Sequence, residues 1–197
     1  MFYAYKTLLA GDTVSCTGFL PERKEVHRGA IEAMGGAYQG HLDKNVTVLV
    51  VGQTGTDKYK FAMRTGIPVV TEAWLLDGFR ERRRAPCEDY VPDFLLGVKI
   101  CCTQLSPEER AEIAREAALR GAEYTPDLRK DYNTHLIAMQ AEGRKYDFAR
   151  RWKMRVVGRE WFYGCLRENR YLPEDRYEIQ PHPYEAQHPP QLWRQRA

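Results

Sequence analysis

The chain has 197 residues, 43% of them hydrophobic, 12% aromatic and 29% charged, with a formal net charge of +3. That length holds one large domain or two of about 90–100 residues. No apolar run approaches the roughly 18 residues of a membrane span, and so small a net charge gives no whole-molecule field for attracting nucleic acid.

The opening "MFYAYKTLLAGD" has no basic stretch leading into a long apolar core, which predicts no secretory signal. A β-rich run from Thr13 to Cys16 then ends at Thr17. Pro21-Glu22 starts an amphipathic helix with Val26, Ala30, Ile31 and Met34 as its apolar positions, closed by Gly35-Gly36. Tyr38 falls in a short strand and "VTVLVV" forms the next. A Gly-containing loop leads to a helix beginning near Lys58, then a strand from Ile67 to Val70 and a last helix with Trp74.

The same order returns downstream. "GDTVSCTGFLPERKEVHRGAIEAMGGAY" lies without a gap over "GVKICCTQLSPEERAEIAREAALRGAEY", pairing Thr17 with Thr103, Gly35 with Gly121 and Tyr38 with Tyr124. After one inserted residue, Lys58-Tyr59 pairs with Lys145-Tyr146, Ala62 with Ala149 and Trp74 with Trp161. The second copy thus predicts a strand from Val98 to Cys102, a helix with Ala111, Ile113, Ala114, Ala117 and Ala118 inward, and a strand at "THLIA". A helix near Lys145, a strand from Met154 to Val157 and a helix with Trp161 follow. Near-continuous apolar strands alternating with helices predict small parallel sheets covered on both faces. The expected divisions are 1–86 for the first copy, 87–94 for a linker, 95–180 for the second copy and 181–197 for a Pro- and Gln-rich tail. That tail, with Trp193, reads as extended or disordered chain.

Cys16, Cys87, Cys101, Cys102 and Cys165 are odd in number and lack zinc-ligand spacing, and the five histidines show none either. Free thiols in a reducing compartment are expected, with no metal and no cofactor. No Cys-x5-Arg phosphatase loop and no GxxxxGK[ST] loop is present, so no catalysis is expected.

A strand-end threonine followed by a turn into a helix, the turn after that helix, "THL", a Lys-Tyr helix start and a tryptophan in the last helix resemble tandem BRCT domains. The resemblance covers Leu9 to about Ile179. "VKICCT", "GRKYDFARRWKMRVV" and "EW" are similar to the first BRCT pair of the topoisomerase-II-binding, Cut/Rad-type checkpoint scaffolds. It implies an α/β fold in which each copy is a four-stranded parallel sheet flanked by three helices. It also implies a nuclear, non-catalytic scaffold that recognises phosphoserine or phosphothreonine. The implied partners are phosphorylated replication-initiation and DNA-damage checkpoint proteins.

The residues support a phosphate site on physical grounds. A peptide phosphate carries about −1.5 to −2 charges and three acceptor oxygens, so donors must converge on it. Thr17 offers a hydroxyl, Gly18 an amide that an anion can approach closely, and Lys58 a cation at a helix start. Lys24, seven residues after Thr17, adds a second cation, with Arg23 as a competing candidate. The second copy offers Thr103, the Gln104 amide, Arg110 and Lys145. Trp152 is expected to wall the residues flanking the phosphate, and the resemblance supports it as a specificity element. Thr65 stands at its place in the first copy.

Each residue alone has a plainer reading: a turn-capping hydroxyl, or a solvated lysine. The repeated Thr, basic and Lys triplet favours function. Trp74 and Trp161 are expected in the cores. Two rival readings remain. One is a DNA 5′-phosphate site aided by Arg80, Arg82, Arg83 and Arg84; the other is a phosphorylation-independent docking module of a repair enzyme.

Overall fold

The computed structural model describes residues 7–180. The predicted tail, with Trp193, lies outside the described residues. Two compact units divide at Val98, with the short stretch Arg120–Ala122 belonging to the first.

In the first unit, β1 (Thr13–Thr17), β2 (Ala37–Tyr38), β3 (Val48–Val51) and β4 (Val69–Thr71) form a parallel sheet in the order β2-β1-β3-β4. Every residue of β3 is buried, as befits a central strand covered on both faces. Around it lie α1 (Pro21–Ala33), α2 (Asp57–Thr65) and α3 (Glu72–Glu81). Pro at the first position of α1 spares the chain an N–H that no helix bond would use. The Thr56 hydroxyl caps α2 by accepting from the Tyr59 N–H, and Gly66 in a left-handed conformation ends it. Trp74 is buried, and its indole N–H donates to the Ala85 carbonyl at 2.8 Å. A 3-10 turn at Cys87–Tyr90 follows, and Cys87 and Tyr90 pack against this core.

The second unit repeats the plan. β5 (Lys99–Cys102), β6 (Glu123–Thr125), β7 (His135–Ile137) and β8 (Arg155–Val157) pair in parallel in the order β6-β5-β7-β8. Its helices are α4 (Pro107–Ala118), α5 (Arg144–Arg151) and α6 (Arg159–Glu168). The Trp161 indole donates to the Leu172 carbonyl at 2.9 Å, the equivalent of the Trp74 bond, and its ring stacks on His135 at 4.7 Å. His135 also meets the buried Glu174 carboxylate, to which Tyr171 donates its hydroxyl.

Three apolar helix positions depart from expectation: Ala111 and Ala118 on α4 are exposed, leaving Ile113 and Ala117 as its buried residues, and Val26 on α1 departs as well. Val26 is exposed, and His27 takes its place against the sheet. The imidazole is accommodated because Nε2 meets Glu72 Oε1 and the ring sits edge-on to Phe19, 4.5 Å away. The same carboxylate receives Arg23 Nε, clipping α1 to α3. The second unit holds this clip with its charges exchanged: Glu109 on α4 pairs with Arg159 on α6 at 2.6 Å. Arg23 is thereby taken up by Glu72 and drops out as a phosphate candidate.

All five cysteines are free thiols. Among the described residues no helix is long and apolar enough to cross a membrane, and no group of three acidic, cysteine or histidine residues could hold a metal.

Candidate functional site

In a parallel α/β sheet the loops after the strands gather at one edge, and ligands bind there. Thr17 ends β1 in register with Val51, the end of β3. The β1–α1 turn and the β3–α2 loop are therefore neighbours, and they bring together the residues singled out from sequence.

In the first unit, the Thr17 hydroxyl lies 3.0 Å from the Thr56 hydroxyl, which in turn caps α2. The Lys58 ammonium sits 3.0 Å from Ser15 Oγ, 3.1 Å from the Cys16 carbonyl and 2.6 Å from the Gly40 carbonyl. Partial burial and the neighbouring Lys24 both hold Lys58 below the ordinary lysine pKa. Two cations thus stand close enough to disfavour each other, an arrangement that an anion between them would relieve. Burial pushes the Cys16 thiol up to about 12, against the pull of Lys58 and Lys24. Gly18 has φ +75°, and a Cβ there would fall 2.4 Å from the Gln53 nitrogen. Its lack of a side chain serves the close approach of the β3–α2 loop, a different reason from the anion contact expected of it.

The second unit builds the same cradle from different atoms. The Lys145 ammonium meets the Cys102 carbonyl at 3.2 Å, the Pro126 carbonyl at 2.6 Å and the Cys101 sulfur at 3.4 Å. Since the Cys102 carbonyl belongs to the peptide leading into Thr103, Lys145 and Thr103 share one corner. Gly143 replaces the capping threonine, so no side chain caps α5. The Thr103 hydroxyl accordingly lacks the partner that Thr17 has. Arg110 Nε is buried with no acceptor, an orphaned donor of the kind an anion would satisfy. Burial and the adjacent Cys101 push the Cys102 thiol up to about 12, while Arg110 and Lys145 pull it down, which places both cations around the end of β5.

Gln104 does more than offer an amide. Its backbone is left-handed, with φ +62°. Its side-chain oxygen accepts from the Met139 and Gln140 N–H groups at 3.2 and 2.9 Å, and its side-chain nitrogen donates to the Glu142 carbonyl at 2.9 Å.

Trp152 stands apart from this corner. It follows the end of α5, two turns from Lys145, and stacks on Phe148 at 5.3 Å. Lys145, Phe148 and Trp152 follow a three-and-four spacing, so they lie along one stripe of the helix.

Sequence reasoning missed Thr56, the carbonyls of Gly40 and Pro126, and the Ser15 and Cys101 side chains that hold the lysines. Ser15 and Cys101 occupy equivalent places in the repeat, a signal present in the alignment of the two copies. The arginines offered for a DNA contact are largely engaged: Arg80 pairs with Asp77, Arg83 with Glu81 and Arg84 with Asp12.

Known proteins share this architecture. A family profile described as the BRCA1 C Terminus (BRCT) domain matches residues 4–79, and one described as a twin BRCT domain matches residues 98–161. The S-M checkpoint control protein rad4 of Schizosaccharomyces pombe is 31% identical over 182 residues, which is 87% of this chain and 28% of that protein. Protein ECT2 of Homo sapiens is 25% identical over 88% of this chain and 20% of its own length. The chain therefore spans less than a third of either relative. Crystal structures of Rad4 BRCT1,2 with a Crb2 phosphopeptide and with a Mdb1 phosphopeptide superpose with TM-scores of 0.64 and 0.66. Each is 27% identical, and the match covers 88% of this chain and the whole of the other. With a repeated parallel-sheet unit, a buried tryptophan in each last helix and both halves matched, the chain belongs to the BRCT family as a tandem pair of BRCT domains.

Proposed function

We propose that this chain is a phosphopeptide-binding module, with one phosphate site in each BRCT unit, serving checkpoint and replication signalling as a non-catalytic adaptor. The observation that carries this reading is the second corner. There the Thr103 hydroxyl, the orphaned Arg110 Nε, the Lys145 ammonium and the uncapped start of α5 lie around the end of β5. Donors of this number and charge suit a dianion with three acceptor oxygens. The first unit supplies Thr17, Gly18, Lys24 and Lys58 in the equivalent places, with Thr56 as an added hydroxyl. An extended peptide advances about 3.3 Å per residue, so Trp152 is reached some three residues from the phosphate and acts there on flanking side chains.

Similarity to Rad4 BRCT1,2, which binds phosphopeptides of Crb2 and Mdb1, supports partners of the same class: phosphorylated segments of checkpoint and replication-initiation proteins. Residence in the nucleus follows from such partners.

Fluorescence polarisation with the Crb2 phosphopeptide and its unphosphorylated twin tests the reading. The phosphorylated peptide should bind, and Lys145→Glu or Lys58→Glu should weaken it at least about tenfold at the site concerned. Equal binding of the two peptides by the unmutated chain would overturn it.

A further inference from the structure

The residue after Thr103 is under backbone strain that its counterpart in the first unit avoids. Gly18 takes φ +75° without penalty, whereas Gln104 holds φ +62° with a side chain attached. Left-handed conformations in residues other than glycine are strained and persist where the surroundings enforce them, most often at functional sites. Here the enforcing contacts are visible. Both ends of the Gln104 amide are bonded to the loop between β7 and α5, through the Met139 and Gln140 N–H groups and the Glu142 carbonyl.

The bonded loop ends at Gly143, the residue that starts α5. Gly143 has φ +91° and caps the helix with no side chain. Where the first unit fixes the start of α2 through the Thr56 hydroxyl and Thr17, the second unit has no such hydroxyl. Lys145 also ties this corner, through the Cys102 and Pro126 carbonyls and the Cys101 sulfur, and it is the cation that has to turn toward an anion. In the first unit the backbone of the β3–α2 loop packs directly on Gly18. In the second, the Gln104 side chain fills the equivalent space and bonds the loop in place.

We infer that Gln104 is a positioning residue of the second phosphate site: its side chain sets the β7–α5 loop, and so the uncapped start of α5 and Lys145, in the arrangement that grips phosphate. The inference rests on the proposed phosphate reading for its ligand, but the clamp itself is independent of it. The strained backbone is what turns the Gln104 side chain toward Met139, Gln140 and Glu142, so the left-handed turn and the clamp form one device.

Two variants in the Lys58→Glu background, which leaves the second site alone, separate positioning from stability. Gln104→Gly removes the clamp and relieves the strain; Gln104→Ala removes the clamp and keeps the strain. Both should bind the Crb2 phosphopeptide roughly tenfold more weakly, although the glycine variant melts at the higher temperature of the two. In both, the amide hydrogens of Met139 and Gln140 should exchange faster with solvent. Affinities that follow the melting temperatures, or either variant binding as tightly as its parent, would overturn the positioning role. Unchanged exchange at Met139 and Gln140 would overturn the clamp. Failure of the parent chain to prefer the phosphorylated peptide would instead count against the phosphate reading, with the exchange measurement still deciding the clamp.

Discussion

The Lys145 ammonium lies 3.4 Å from the Cys101 sulfur, where the first unit sets Lys58 3.0 Å from the Ser15 hydroxyl. A thiol is a weak acceptor and a hydroxyl a good one. Lys145 is therefore less satisfied by its own fold and keeps more of its hydrogen-bonding capacity for a ligand. Exchanging the two acceptors should move affinity in opposite directions. Cys101→Ser should weaken phosphopeptide binding at the second site severalfold, and Ser15→Cys should strengthen it at the first. Polarisation titrations, each in a background that disables the other site, read both; changes of the same sign would refute this account of the cradle.

The pH dependence of the first site follows from Lys58. Its pKa is held below the ordinary value by burial and by Lys24, so the folded chain binds that proton less tightly than the unfolded chain does. In the linkage, this charge costs stability at neutral pH, and the cost fades as pH rises through the interval between the folded and unfolded values. A bound dianion favours the protonated ammonium, so affinity should begin to fall on the alkaline side earlier than an ordinary lysine at about 10.4 would allow. It should fall again below about pH 6, where the phosphate gains its second proton. Titrations of the Lys145→Glu chain that extend past these limits on both sides should give a bell; a flat profile would speak against a Lys58–phosphate contact.

The exchanged ion pair, Arg23 with Glu72 and Glu109 with Arg159, gives a test of the repeat as a physical unit. Glu109→Arg alone should lower the melting temperature of the second unit by setting two guanidinium groups against each other. Adding Arg159→Glu should restore it, because the orientation then matches that of the first unit. A double variant no more stable than the single one would mean that local surroundings, not the pairing, decide the orientation.

Much of this architecture was legible in the chain. The two copies align with one inserted residue, and that alignment carries the succession of strands and helices along the chain, the buried tryptophans and the placement of Thr17, Lys58, Thr103 and Lys145 at strand and helix ends. Periodicity located the first helix but gave Val26 to the core, since a histidine becomes a core residue only when a partner such as Glu72 is near in space. The left-handed turn at Gln104 was hidden because a glutamine carries no backbone signature comparable to glycine. The reach of Lys145 to the Pro126 carbonyl was hidden too, since backbone acceptors are set by the fold and not by residue type. The engagement of Arg80, Arg83 and Arg84 with carboxylates, like that of Arg23, depends on pairings that a charge count does not show.

The most direct measurement is a crystal structure of the chain with a bound phosphothreonine peptide. The account predicts a phosphate whose oxygens lie within hydrogen-bond reach of Thr103 Oγ1, Arg110 Nε and Lys145 Nζ together. A peptide bound with its phosphate away from both strand-end corners, or facing Arg80 to Arg84, would contradict it.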